Sequence, residues 1–377
     1  MRALCHYCRG ESHKSGGKVC QDFAITVNDR GLTVAIVCDG HGGDRYFRSD
    51  IGARIAAETA AEAIKSFIKL GGKSLFDGKA FTTAGPIAPN DGHGKETAVD
   101  KAFRQLFSSI IAGWRERIAA HAEQNPPTSW ELEHVRPEYL KELASSEDAG
   151  KIYGCTLLAF ARTPRFWFAF QIGDGKCISF QSDPLWREPV PWDDRCFLNK
   201  TTSLCDDDAL NEFRYCYEGD GKFPAAVFLG SDGMDDSFGD ICNLVNFYIQ
   251  FAKEIVRSET DARASLERYL PELSRIGSRD DMSVACAFSP RELKRLIPKL
   301  LEWQISQAEM DIESSEQMIA EYSSKADCLS SLSDDKSRIE YGYAQSDLAK
   351  ALEMKSVLDK KLSLFIMERD EMANSKN

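Results

Sequence analysis

The sequence predicts an α+β fold followed by an α-helical hairpin, and three observations carry that prediction. Short apolar runs bounded by glycine and aspartate recur up to residue 288, as strands do when turns punctuate them. Two longer stretches, 46–70 and 99–123, carry apolar residues near helical spacing. After Pro290 the apolar residues fall mainly at three- and four-residue steps. Residues 1–289 are therefore expected to form one domain and residues 290–377 a separate helical appendage.

The elements follow in order. Residues 23–27 and 32–38 are two strands joined by the turn Asn28-Asp29-Arg30-Gly31. This hairpin delivers Asp39-Gly40-His41-Gly42-Gly43 at its end. The helix over 46–70 carries Ile51, Ile55, Ala56, Ala60, Ile64 and Ile68. Residues 71–96, rich in Gly, Lys, Thr and Asp, read as a long loop or insertion. The helix over 99–123 carries Phe103, Leu106, Phe107, Ile110, Ile111 and Trp114, and Asn125-Pro126-Pro127 ends it. Residues 128–149 are polar, with no pattern that assigns them. Strands are expected over 155–161, 166–172 and 176–180. Residues 183–221 read as irregular and polar, a candidate mobile flap. A buried strand over 225–229 leads into Gly230-Ser231-Asp232-Gly233, helices follow over 241–257 and 261–273, and 283–288 is the last strand. Beyond it, Leu301, Ile305, Ala308, Ile312, Ile319 and Tyr322 form one apolar row, and Leu348, Leu352, Leu358, Leu362 and Ile366 another. The polar stretch 323–336 between them makes this an antiparallel hairpin with coiled-coil character. Its narrow stripe favours self-pairing, with the outer faces free for protein–protein contact.

Composition narrows the class. The chain has 377 residues, 43% of them hydrophobic, enough for a sizeable core. A net charge of −12 argues against a nucleic-acid binder. No stretch approaches the roughly 18 apolar residues of a membrane helix, and the first residues lack a signal-peptide pattern. A cytoplasmic location is expected. The 12 cysteines, several inside apolar runs (Cys38, Cys155, Cys177, Cys286), read as buried free thiols rather than a disulfide framework.

The pattern that carries chemistry is acidic. Asp39, Asp174 and Asp232 each follow an apolar strand, Asp22 precedes one, and Asp280 and Asp281 precede another. A single Asp-Gly is most simply a turn. Five such places at strand ends are better explained as carboxylates that converge. Converging carboxylates repel unless cations sit among them, and oxygen-only ligands suit hard ions such as Mg²⁺ or Mn²⁺.

Asp39-Gly40-His41-Gly42 resembles the Asp-Gly-His-Gly signature of the type 2C-like (PPM) metal-dependent protein phosphatases. Gly154-Cys155-Thr156, Gly173-Asp174-Gly175-Lys176, Ser231-Asp232-Gly233-Met234-Asp235-Asp236 and Arg279-Asp280-Asp281-Met282-Ser283 resemble its further motifs, in the family's order. Cys20-Gln21-Asp22 matches the opening one, with Cys for the usual Asn. The likeness spans residues 9–288, and the opening residues are similar to a bacterial subgroup. It implies a β-sandwich with helices on both outer faces. It also implies hydrolysis of phosphoserine or phosphothreonine by direct attack of a metal-bridging hydroxide. Asp39 would bridge two Mn²⁺ or Mg²⁺ ions, with the Gly40 carbonyl on one and Asp232 and Asp280 on the other. Asp22 would hold metal-bound water, and Asp174 with Asp232 would hold a third, weaker ion. His41 would be the general acid; read from the residues alone, it is equally a helix-start residue between glycines. Asp281 stands where the family has Asn and is placed outside the ligand set. The family's phosphate-gripping Arg is replaced by Gly17, leaving His13, Lys14 and Lys18 as candidate cations. A phosphoprotein substrate, paired with a Ser/Thr kinase, is the implied partner. A non-catalytic phosphoprotein-binding module and a phosphatase of small metabolites are the rival readings.

Weaker signals resolve to structure. Cys5-His6-Tyr7-Cys8 is half a zinc site without a second pair, and reads as a strand bearing thiols. Gly71-Gly72-Lys73-Ser74 lacks the first glycine of a P-loop, because Phe67 stands there. His93 reads as a solvated loop residue and Asp206-Asp207-Asp208 as a surface turn. Trp167 and Phe168 read as core.

Overall fold

A computed structural model describes residues 1–70, 72–86, 97–145, 149–197, 200–330 and 334–374. They form two compact units, Met1–Lys294 and Arg295–Asn377.

The first unit opens with β1 (Arg2–Cys8), α1 (Glu11–Ser15), β2 (Phe23–Asp29) and β3 (Leu32–Cys38). After a 3-10 turn come α2 (Ser49–Leu70), α3 (Gly72–Leu75), β4 (Thr82–Ala84), α4 (Ala98–Gln124), α5 (Ser129–Glu133) and α6 (Pro137–Ser145). Next are β5 (Leu157–Arg162), β6 (Trp167–Ile172), β7 (Lys176–Phe180), β8 (Trp186–Arg187), α7 (Ala209–Glu212) and β9 (Arg214–Glu218). The unit is completed by β10 (Ala226–Gly230), α8 (Asp232–Phe238), α9 (Ile241–Arg257), α10 (Glu259–Ile276) and β11 (Met282–Phe288). The strands make two antiparallel sheets, ordered β1-β11-β10-β7-β8 and β2-β3-β5-β6-β9-β4.

Side chains alternate across each strand, and the alternation builds the layers. Ala35, Val37, Leu158, Phe160 and Ala169 from one sheet share a buried cluster with Val227, Leu229, Ala285 and Ala287 from the other. The opposite faces of β3, β5 and β6 (Ile36, Leu157, Phe168, Phe170) pack with Ala60 and Ile64 of α2 and with Phe103, Phe107 and Trp114 of α4. On the outer face of the sheet that contains β10, Phe228 stacks on Tyr248 of α9 with ring centroids 4.7 Å apart. The result is the expected sandwich with helices outside both sheets.

Two sequence expectations are corrected, and one unassigned stretch acquires structure. Residues 183–221 are not an irregular flap throughout. They contain β8, α7 and β9, and β9 is buried along its whole length between β6 and β4. Its polar residues misled because each has a buried partner. Arg214 donates to the carbonyls of Gly173 and Pro191, and Glu218 accepts from the Trp167 indole at 3.1 Å. Within 71–96, α3 and β4 are ordered elements, and β4 pairs with β9; His93 lies outside the described residues. Residues 128–145 form α5 and α6, the former started by a Thr128–Glu131 capping box.

The hairpin consists of α11 (Pro290–Ser330), which begins in the first unit, and α12 (Asp335–Asn374). Within the polar stretch 323–336, residues 323–330 belong to α11 and Asp335 and Lys336 to α12. Leu301, Ile305, Ala308 and Phe365 form the seam between them. Among the described residues no helix is long and apolar enough to cross a membrane.

Candidate metal centre

Three carboxylates meet where strands from both sheets end. Asp39 follows β3, Asp174 follows β6 by one glycine, and Asp232 opens α8 just beyond β10. One oxygen from each lies within 4.8 Å of the others. The backbone beneath them is locked. The Asp39 N–H donates to Thr156 Oγ1 at 3.1 Å, and the Thr156 N–H donates to the Asp39 carbonyl at 2.8 Å. Two glycines are required here. Gly173 has φ 112°, and a side chain there would also strike Thr156. At Gly40 a Cβ would sit 2.7 Å from the carbonyl oxygens of both Gln21 and Ser49.

Burial and mutual repulsion push these acids toward their neutral forms. Burial, then the charge of Asp232, raises Asp39 far above the usual carboxylate range. Burial and Asp174 push Asp232 up to about 7. Burial likewise raises Asp174 and takes the neighbouring Asp22 to about 8. Among the described residues, Asp22 Oδ2 and Asp174 Oδ1 are buried without a hydrogen-bond partner. Desolvated carboxylates with orphaned oxygens fit a divalent cation, whose charge inverts this electrostatic penalty. Asp280 falls outside that trio. It groups instead with His13 and Asp281, while its charge still acts on Asp232.

Asp281 is answered by protein. Its oxygens accept from the backbone N–H of Gly10 at 2.6 Å and of Gln21 at 2.5 Å, and meet His13 Nδ1 at 2.9 Å. Burial pushes this acid up, but those bonds outweigh it and hold it below the usual range. His13 is raised in turn, mainly by the bond to Asp281.

His41 stands just beyond Asp39 and Gly40 in the chain. Its Nε2 is 2.7 Å from Ser203 Oγ, and its ring meets Tyr46 edge-on at 4.7 Å. Burial lowers it to about 4. The three candidate cations are all engaged. His13 is buried against Asp281, Lys14 lies 3.7 Å from Glu11, and Lys18 donates to the Gly42 carbonyl at 2.9 Å.

Sequence reasoning missed Thr202, Ser203 and Arg214. Thr202 Oγ1 accepts from the Gly173 N–H at 2.8 Å, Ser203 contacts His41, and Arg214 supports the Gly173 carbonyl. The signal that could have found the first two is Thr202-Ser203-Leu204-Cys205, a small and apolar run inside a charged stretch and fully buried in the fold.

Residues 9–271 match the family model described as protein phosphatase 2C. Solved structures resembling the chain include PppA of Pseudomonas aeruginosa, described as a key regulatory component of T6SS, with 16% identity and TM-score 0.43, over 76% of this chain and 96% of that one. Another is the catalytic domain of the serine/threonine protein phosphatase PstP in complex with two manganese ions, with 16% identity and TM-score 0.41, over 76% and 96%. A third is Stp1 of Staphylococcus aureus, a serine/threonine phosphatase, with 12% identity and TM-score 0.43, over 76% and 94%. No curated protein matches the chain. The family model spans well over half of the sequence, and the chain folds as a sandwich of two antiparallel sheets: it belongs to the protein phosphatase 2C family.

Proposed function

We propose that this protein is a metal-dependent phosphatase acting on phosphoserine and phosphothreonine in proteins. The observation that carries the reading is the converging trio Asp39, Asp174 and Asp232, with orphaned oxygens on Asp174 and the adjacent Asp22. Family membership supports it. In this reading Asp39, the Gly40 carbonyl, Asp232 and Asp280 hold two Mn²⁺ or Mg²⁺ ions. Asp22 supports them from behind, and Asp174 with Asp232 holds a third. Bound cations would neutralise the phosphoryl oxygens and acidify a coordinated water.

The chain's own groups do the rest. Thr156 keeps Asp39 from moving as charge develops. Ser203 fixes the direction of the His41 ring, and His41 hands a proton to the departing seryl or threonyl oxygen. Burial keeps free His41 neutral, and an arriving phosphate dianion favours its protonated form. The natural setting of this reading is the cytoplasm, opposite a Ser/Thr kinase, with His13, Lys14 and Lys18 as the candidate cations for an incoming phosphate.

The test is p-nitrophenyl phosphate hydrolysis with Mn²⁺, with Mg²⁺ and with chelator. The expected result is metal-dependent turnover that falls at least ~10³-fold in both Asp39→Asn and Asp232→Asn. A preference for phosphopeptides over sugar phosphates should follow. A native chain that binds Mn²⁺ and turns nothing over would overturn the reading in favour of a phosphoprotein-binding module.

A further inference from the structure

Two polar atoms on buried side chains beside the centre lack partners among the described residues. His13 is 8% exposed, and its Nδ1 lies 2.9 Å from Asp281 Oδ2. The Asp281 oxygens also accept from the backbone N–H groups of Gly10 and Gln21. A carboxylate filled in this way is an acceptor, so Nδ1 carries a proton, and the lone pair of the neutral ring belongs to Nε2. That Nε2 has no hydrogen-bond partner among the described residues. Gln21 is 7% exposed, and its Oε1 is likewise unpartnered there. Both atoms face one gap. A Cβ placed on Gly42 would lie 3.8 Å from Gln21 Oε1 and 4.0 Å from His13 Nε2, with no atom beyond its chain neighbours nearer. Gly42 keeps that gap open next to His41 and three residues beyond Asp39.

A histidine that gives one ring N–H to a carboxylate and turns its other nitrogen outward has the form of a metal-bound imidazole. A carboxylate for the same ion stands beside it. A ring nitrogen of His13, an oxygen of Asp280 and an oxygen of Asp281 lie within 4.8 Å of one another. Asp281 is taken up by its three donors, which leaves His13 and Asp280 as the pair. Two metal–ligand bonds of about 2.1 Å span most of that separation, and the exposed Asp280 side chain can turn to close the rest. We propose that His13 Nε2 is a nitrogen ligand to the cation that Asp280 holds, with Gln21 Oε1 accepting from one of that cation's waters. The inference rests on the phosphatase reading and deepens it. It takes His13 out of the candidate phosphate cations, leaving Lys14 and Lys18. It also accounts for Asp280 standing with His13 rather than with Asp39, Asp174 and Asp232. Imidazole nitrogen suits transition ions better than Mg²⁺, so the site should favour Mn²⁺.

Electron spin-echo spectroscopy of the Mn²⁺-loaded full chain tests this, because a bound imidazole nitrogen modulates the echo and carboxylate oxygens do not. The expected spectrum shows nitrogen coupling that persists in His41→Gln and vanishes in His13→Gln. Titration calorimetry should find Mn²⁺ affinity lowered at least ~10-fold in His13→Gln, the loss that follows even when only a ligand's partner is removed. Mg²⁺ affinity should change far less. Should His13→Gln fail to fold, the native chain and His41→Gln still decide. A chain that binds Mn²⁺ without nitrogen coupling, or whose coupling disappears in His41→Gln, would overturn the inference and leave the phosphatase reading standing. A chain that binds no Mn²⁺ would overturn that reading, and this inference with it.

Discussion

Asp232 and Asp281 both stand near strand ends of one sheet, and their electrostatics point in opposite directions. Asp281 accepts from two backbone N–H groups and meets His13, and it is held below the usual carboxylate range. Asp232 faces Asp39 and Asp174 and is pushed up to about 7. The ion pair between Arg48 and Glu131 belongs with Asp281. The guanidinium meets both Glu131 oxygens, at 2.7 and 3.0 Å, and those bonds bring Glu131 down to about 2. A buried charge that protein groups already answer is structural. One that the fold surrounds with like charge needs a cation from outside.

The sharpest way to break this comparison is Asp281→Ala. Removing it strands a buried His13 and two N–H groups, so urea denaturation should show a loss of about 3–5 kcal/mol, the range for breaking a buried pair. A loss below about 1 kcal/mol, the level of an ordinary surface pair, would mean that Asp281 is not the anchor described. Asp281→Asn keeps an acceptor and should lose less.

A smaller effect separates the trio from the anchor. Asp39, Asp232 and Asp22 ionise less readily folded than unfolded, so the folded metal-free chain binds more protons through that window. Its stability should therefore fall as pH rises from the ordinary carboxylate value, 3.8, towards about 8. Mn²⁺ at 100 times its Kd should add about 2.7 kcal/mol at neutral pH and flatten the slope. Thermal melts across pH, with and without Mn²⁺, would read both. A metal-free chain whose stability rose over that range would contradict the assignment.

Glu131→Gln should have the smallest effect, about 1–3 kcal/mol at neutral pH. The sign here is the ordinary one for a depressed acid. The stability it contributes is present above the unfolded value of 4.5 and is lost as pH falls toward about 2. Acid titration of native and variant chains should converge below that range, and curves that stayed parallel would remove Glu131 from the comparison.

Much of the site was legible in the sequence because strand ends announce themselves. Val34 to Cys38 and Ala225 to Leu229 are plainly apolar, and the aspartate after each is fixed by chain connectivity. What was hidden depended on long-range partners. Arg214 and Glu218 made β9 look like loop, since nothing local says that a carbonyl and an indole wait for them. Asp281 looked like a stand-in for Asn, and its partners lie 260 and more residues away. Asp280 is given a ligand role by the family resemblance, and its carboxylate stands with His13 and Asp281 while its charge acts on Asp232. The hairpin's period was clear, but the end of α11 was not, because 323–330 is polar and still helical.

The bond from the Gly10 N–H to Asp281 also has a meaning in time. It joins residues 271 positions apart, and β1 is an edge strand whose pairing partner is β11. While the chain is being synthesised, its first strand therefore waits for nearly the last element of the unit, and contacts of such separation form late. A nascent chain lacking residues 280–288 has most of its carboxylates but not the strand that squares them up. A chain cut before residue 280 would keep Asp39, Asp174 and Asp232 but lose both the β11 partner of β1 and the carboxylate that holds residues 10 and 21.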